Sequence, residues 1–330
     1  IGMRFLQTNT FYIDYAGAEF DFIINLAILG LPTEFVTALP NNALGYKCKL
    51  FLSQFNVETK HIIFKDGRIG IYFVERGIGP RSTFVIYDKD NSVFANVKPD
   101  DLNWHEILKD AALFHCSGNS VATSSLAAET ILNGLKVAKE LNIITSCDLN
   151  YRALLWKKWN RDPGDIMAEF IKYSDIVFSN EEEIELYFKI KTPIDQLKQG
   201  ILNSEIINSY HEIAKEFLKK FNNVKILAIS LRASINANYN KWSGVVYHKD
   251  NFYTTKIYDI FPIIDREGAG DAFAAGFIYG LIKYKDLQKA LDFAIAYSTV
   301  KHTINGLINI TTIDEIERII HEGIHGRIIR

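Results

Sequence analysis

From about residue 110 onward, short runs rich in β-branched and aromatic residues alternate with segments of helical periodicity, and this rhythm constrains the fold more than any single motif. "AALFHCSG" leads to a helix near 123–141, "IITSCDLN" to one near 163–173, and "DIVFSN" to helices near 181–188 and 205–221, before "VKILAISL". Such alternation requires parallel strands joined by crossover helices. The expectation is therefore an α/β fold: a doubly wound, mainly parallel sheet flanked by helices, with ligands gathering at the carboxyl ends of the strands. The closing third reads as a hairpin, "WSGVVYHKDNFYTTKIY", then helices near 270–284, 286–303 and 312–322. Between roughly 57 and 97 the texture changes. "HIIFKDGRIGIYFVER" and "STFVIYDKDNSVFANV" read as paired strands, with Asp66-Gly67 as a hairpin turn. This segment is expected to be a small β-sheet insertion in a single domain spanning 1–330, acting as a lid, a dimer surface or both.

The 330 residues, 48% hydrophobic and 23% charged, suffice for a large buried core. A formal net charge of -2 without a basic run argues against nucleic acid or an anionic membrane as partner, leaving small molecules. The apolar stretch "FDFIINLAILGLP" carries Asp21 and Asn25 and is shorter than the ~20 residues a membrane helix needs. Cys48, Cys116 and Cys147 are odd in number and widely spaced, so neither a disulfide framework nor a zinc knuckle is indicated and a reducing cytoplasm is expected. No signal peptide is visible, and the opening on Ile1 suggests that natural N-terminal sequence is absent.

"DREGAGDAFAAGFIYG", Asp265 to Gly280, sets two glycines and an acid before a small-residue apolar run. Gly268 and Gly270 let the backbone bend so that free N–H groups converge at a helix start, whose dipole favours negative charge: an anion hole. The same field is expected to keep Asp271 ionised, and an ionised carboxylate beside a transferring phosphoryl group can accept an alcohol proton. A Walker phosphate loop is excluded because Asp-Ala follows Gly270, and a dinucleotide fingerprint because residue 273 is Phe. A plain glycine turn whose Asp caps the helix satisfies the segment equally well.

"DLNYR" ends a predicted central strand, where Arg152 can clamp a carboxylate or phosphate; a surface ion pair is the alternative. "SNEEE" also ends a strand and spaces Asn180 and Glu183 so that they can hold water-coordinated Mg²⁺, although acids in a first helical turn are ordinary. "HEGIH", His321 to His325, matches a zinc-protease pattern, but Gly323 lies inside it and no further ligand follows, so it reads as a fraying C-terminal helix. His115, on a strand, reads as a satisfied core or surface residue.

Together, "DREGAGDAFAAG", "SNEEE" and "DLNYRALLW" resemble the ribokinase (pfkB-type) family of sugar kinases. "YAGAEFDFIINLAILG", "GIYFVERG", "RSTFVIYDK", "SLRASINANYNKWSGVVY" and "KHTINGL…GRIIR" narrow the resemblance to its 2-keto-3-deoxygluconate kinase branch, from about residue 4 to the last residue. The resemblance implies a ribokinase-like fold with a β lid and ATP-dependent, Mg²⁺-assisted phosphorylation of that sugar acid to its 6-phosphate. It implies Asp271 as the base, Gly268, Ala269 and Gly270 as the anion hole, and Gly17, Ala18, Glu19, Tyr72, Tyr87, Lys89 and Arg152 as substrate contacts. Asn180, Leu231 and Arg232 fall where the family touches ATP, with Glu183 on the Mg²⁺ side and no metal fixed by protein side chains alone. A homo-oligomer assembled through the lid is likewise implied.

This chain departs from the family pattern at Ala16, Asp21, Asn119 and Leu307, at Lys89 where an Arg is usual, and in the first strand, largely missing before Met3. These departures leave open a family kinase for another sugar or sugar acid, or a degenerate protein that binds a sugar or nucleotide without turnover.

Overall fold

The computed structural model describes residues 3–323. Strands β1 (Thr37–Pro40) and β2 (Ile62–Lys65) pair in parallel as one small sheet, and β3 (Ile71–Glu75) and β4 (Phe84–Asp88) pair antiparallel as another. The Asp66-Gly67 hairpin is thus corrected. The strands on either side of it enter different sheets, and Gly67 at φ 145 turns the chain between them instead of folding it back. Local turn chemistry was right about a turn and silent about what the flanking strands pair with.

The main sheet comprises β5 (Leu113–Ser117), β6 (Ile144–Asp148), β7 (Ile176–Asn180), β8 (Ile226–Asn236), β9 (Tyr239–His248), β10 (Asn251–Thr254) and β11 (Tyr258–Ile260). Its order is β10-β9-β8-β7-β6-β5, with β11 also on β9. β5 to β8 are parallel, as the strand–helix rhythm requires, and β8 to β10 turn antiparallel. The β9–β10 hairpin closes through Lys249 and Asp250, both at positive φ, the geometry a two-residue hairpin loop needs. The architecture is the helix-flanked α/β sheet that the sequence pointed to, extended by an antiparallel half.

Strands buried on both faces alternate between two cores. Val177 and Leu227 face a cluster with Phe170, Tyr210 and Phe217 from the crossover helices. Ile176, Phe178 and Ala228 face the opposite cluster, with Phe273, Phe277 and Phe293 from helices Ala269–Tyr284 and Leu287–Lys301. Those two helices pack closely enough that a methyl on Gly276 or Gly280 would press on the Ala294 or Ala290 backbone at 3.0 and 2.6 Å. The small residues of "GDAFAAGFIYG" therefore serve packing. This packing fixes where the helix begins, and with it the position of Asp271. Among the described residues no helix is long and apolar enough to cross a membrane.

Candidate active site

The Ala269–Tyr284 helix starts from Gly268, which sits left-handed at φ 75 with no side-chain cap. A Cβ on Gly268 would lie 2.3 Å from the Leu307 carbonyl oxygen, so glycine is required for both conformation and space. Gly270 differs: a Cβ there meets nothing within 4 Å, so the first turn borders an open space. Asp271 follows, half-buried, one turn into the field of the helix N-terminus.

Four segments bring charges to this point. The β6 end supplies Asp148, the loop after it Arg152, the start of the Glu183–Phe188 helix Glu183, and the Ala18–Ile28 helix Glu19. The Arg152 guanidinium faces Glu183, Asp271, Asp148 and the Tyr87 hydroxyl, and donates to the Tyr151 carbonyl at 3.0 Å. Burial, reinforced by Asp148 and Glu19, pushes Asp271 up to about 8, against the pull of Arg152. The expectation of a plainly ionised carboxylate is corrected: burial above all, with the acids adding to it, outweighs the helix field and Arg152 and poises the group near neutrality. Asp148 is pushed up to about 6 by burial, with Asn150 and Arg152 opposing.

The sugar-side candidates converge from separate elements. Glu19 is held by the Ser117 N–H at 2.8 Å, at the β5 end, and by the Ser120 hydroxyl at 2.6 Å, in the short helix Gly118–Val121 that follows. Tyr72 and Tyr87 are directly opposed on β3 and β4, rings 6.1 Å apart. Lys89 lies over both rings, at 6.0 and 5.4 Å, and donates to Asn119 Oδ1 at 3.1 Å. Burial brings its ammonium down to about 8. Two departures from the family pattern, Lys89 and Asn119, are therefore partners of one another. Gly17 precedes the Ala18–Ile28 helix, and its carbonyl accepts the Asp21 N–H at 2.7 Å. Asp21 is 3% exposed, with Oδ1 unpartnered and its carboxyl pushed well up by burial and by Asp271.

On the opposite side Asn180 and Glu183 cap one another's backbone: Asn180 Oδ1 accepts the Glu182 and Glu183 N–H groups, and the Asn180 N–H reaches Glu183 Oε2 at 3.2 Å. Glu183 Oε1 takes the Tyr151 N–H at 2.8 Å, so both of its oxygens tie the β6 and β7 loops together. Arg232 grips Glu181 Oε1 at 2.9 Å. Leu231 is 0% exposed, its side chain in the core, so only its backbone can meet a ligand. His115 stacks on Phe22 at 3.8 Å and bonds Ser146, a core histidine held down to about 3 by burial. His325 of the "HEGIH" pattern lies outside the described residues, and among those described no cluster of His, Cys, Asp or Glu could hold a metal.

Sequence reasoning missed Asp148, although "DLNYR" begins with it, because its effect acts through space on Asp271. It also missed Asp265, whose carboxylate takes Arg76 at 2.7 Å and the Glu267 and Gly306 N–H groups at 3.1 Å, and so shapes the turn from beneath. A third, Lys301, carried a signal: the one acidic or basic side chain besides His302 in "AIAYSTVKH".

A glycine turn feeding a helix N-terminus beside an α/β sheet, with clustered acids, Arg152 and Lys89 nearby and a separate two-stranded sheet carrying Tyr72 and Tyr87, is an arrangement that suits an anionic ligand. The pattern of the pfkB family of carbohydrate kinases matches residues 6–313, and the chain belongs to that family. It is a phosphotransferase with an alcohol group as acceptor. A crystal structure of 2-dehydro-3-deoxygluconokinase from Thermotoga maritima is 39% identical, with TM-score 0.88 over 96% of this chain and 92% of that one. A pfkB family carbohydrate kinase from Listeria grayi superposes with TM-score 0.86 at 27% identity, over 97% and 94% of the two chains. The 2-dehydro-3-deoxygalactonokinase of Haloferax volcanii is 29% identical over 325 residues, 98% of this chain and 93% of its own.

Proposed function

We propose that this chain is an ATP-dependent sugar-acid kinase that phosphorylates the terminal hydroxyl of 2-keto-3-deoxygluconate, giving 2-keto-3-deoxy-6-phosphogluconate, with Asp271 as general base. The observation that carries the reading is the first turn of the Ala269–Tyr284 helix: a carboxylate poised near neutrality stands beside an open space at Gly270. The likeness to the Thermotoga maritima kinase supports the choice of substrate.

In this reading Arg152 and Lys89 meet the sugar carboxylate, Arg152 alongside the acids that already face it and Lys89 alongside Glu19. Tyr72 and Tyr87 wall the sugar from water, and Glu19, fixed by Ser117 and Ser120, accepts from its hydroxyls. Gly17 and Ala18 shape the wall at the start of that helix. Asp271 takes the proton of the attacking hydroxyl as the phosphoryl group arrives over the Gly270 N–H, with the Ala269 N–H, which reaches the Arg266 carbonyl at 3.4 Å, turning to it on binding. Asn180, Arg232 and the Leu231 backbone lie on the nucleotide side. Mg²⁺ neutralises phosphate charge when bound; since both Glu183 oxygens are spent on backbone N–H groups, Glu183 and Asn180 would hold it through water.

The test is ADP release with ATP and Mg²⁺ over a sugar-acid panel that includes the 4-epimer named for the Haloferax volcanii relative. Turnover highest on 2-keto-3-deoxygluconate is expected. A clear preference for another sugar acid replaces the substrate, and binding without turnover on any member ends the kinase reading.

A further inference from the structure

Lys301 is 0% exposed, and a buried ammonium is costly unless its surroundings use it. Its Nζ donates to the backbone carbonyls of Asp265 and Ile304, each at 3.3 Å. The acids that face it are Asp265, Asp21 and Glu267, and Arg76 is the cation that opposes it. Asp265 spends its carboxylate on Arg76 and on the N–H groups of Glu267 and Gly306, so Lys301 acts on that residue's carbonyl and brings a further positive charge.

The surrounding bonds show what the ammonium fastens. The Ile264 and Asp265 N–H groups both reach the His302 carbonyl, at 2.8 and 3.2 Å, and Gly268 rests against the Leu307 carbonyl. Segment 264–268 is thereby laid onto segment 301–307, with Lys301 at the joint, and Gly268, Ala269, Gly270 and Asp271 continue directly from it. An apolar side chain of the same length would fill the volume but leave two carbonyls unpaired and three nearby acids without this cation.

We propose that Lys301 is a positioning residue for phosphoryl transfer: its buried ammonium pins the carbonyls beneath the Gly268–Gly270 turn and gives the acid-rich floor of the site a fixed internal cation. This rests on the kinase reading above, and wild-type turnover tests that reading separately. Lys301→Met, nearly isosteric, is expected to lower kcat by about 10²-fold while KM for the sugar acid changes less than about threefold, because the ammonium acts on the turn and not on the sugar. Lys301→Ala opens a cavity lined by the two freed carbonyls, and added ammonium or methylammonium is expected to restore at least about tenfold of the lost kcat, with no such activation of wild type. A merely structural lysine would lower the melting temperature without that rescue. Lys301→Met within about threefold of wild-type kcat, or Lys301→Ala insensitive to ammonium and methylammonium, overturns the proposal; if Lys301→Met does not fold, the rescue result on Lys301→Ala decides.

Discussion

Gly268 and Gly270 stand one residue apart, and the structure assigns them opposite reasons for being glycine. A methyl on Gly268 meets the Leu307 carbonyl oxygen at 2.3 Å, at a φ of 75 that L-residues adopt only with strain. The left-handed conformation costs about 1–2 kcal/mol and overpacking against fixed backbone about 1–3, so Gly268→Ala should lose roughly 2–5 kcal/mol. For a chain of this size that lowers the melting temperature by about 3–7 °C. Gly270→Ala meets nothing within 4 Å, and alanine in a first helical turn gains up to about 0.5–1 kcal/mol. Its methyl, however, enters the space assigned to the incoming phosphoryl group, and kcat should fall by more than about 10²-fold. The assays are thermal melting and ADP release on both variants. Gly270→Ala that melts normally and keeps its kcat would falsify the placement of the phosphoryl group; Gly268→Ala that melts as wild type would refute the steric reasoning.

Asp271→Asn should lower kcat by about 10²–10⁴-fold without lowering the melting temperature, since it removes an acid already crowded by acids; full activity in a steady-state assay removes Asp271 as base. Asp271 must be ionised to accept a proton, so kcat/KM should rise with pH and be lost as pH falls through the titration of the Asp148–Asp271 group. Asp148 raises Asp271, so Asp148→Asn should move that acid limb to lower pH by about one unit, and a limb that moves upward contradicts the electrostatics. Arg232→Met strips the 4% exposed Glu181 side chain of its partner and should cost roughly 1–3 kcal/mol while raising KM for ATP; an unchanged melting curve by calorimetry would show the pair to be idle.

Much of this was legible in the chain because it is local. Strand–helix alternation specified the parallel half of the sheet, since short apolar runs joined by helices of crossover length pack only that way. The Gly-Ala-Gly-Asp turn was readable because the need for glycine at a positive φ is a backbone property, as φ 75 at Gly268 shows. Pairing partners were not legible. Asp66-Gly67 signals a turn whether the next strand folds back or leaves for another sheet, and only the burial of competing faces chose the β1–β2 and β3–β4 pairs.

The sequence by itself determined the architecture and the glycine turn that opens the Ala269–Tyr284 helix, because both follow from periodicity and from backbone freedom at particular residues. Tertiary structure alone decided the chemistry of that turn. Coulomb forces and desolvation depend on distance through space, so Asp148 and Glu19 could raise Asp271, and Lys301 could reach the Asp265 carbonyl 36 positions away, only once the fold had placed them together. The same holds for Lys89 and Asn119, two apparent irregularities in the chain that the fold turns into a single contact.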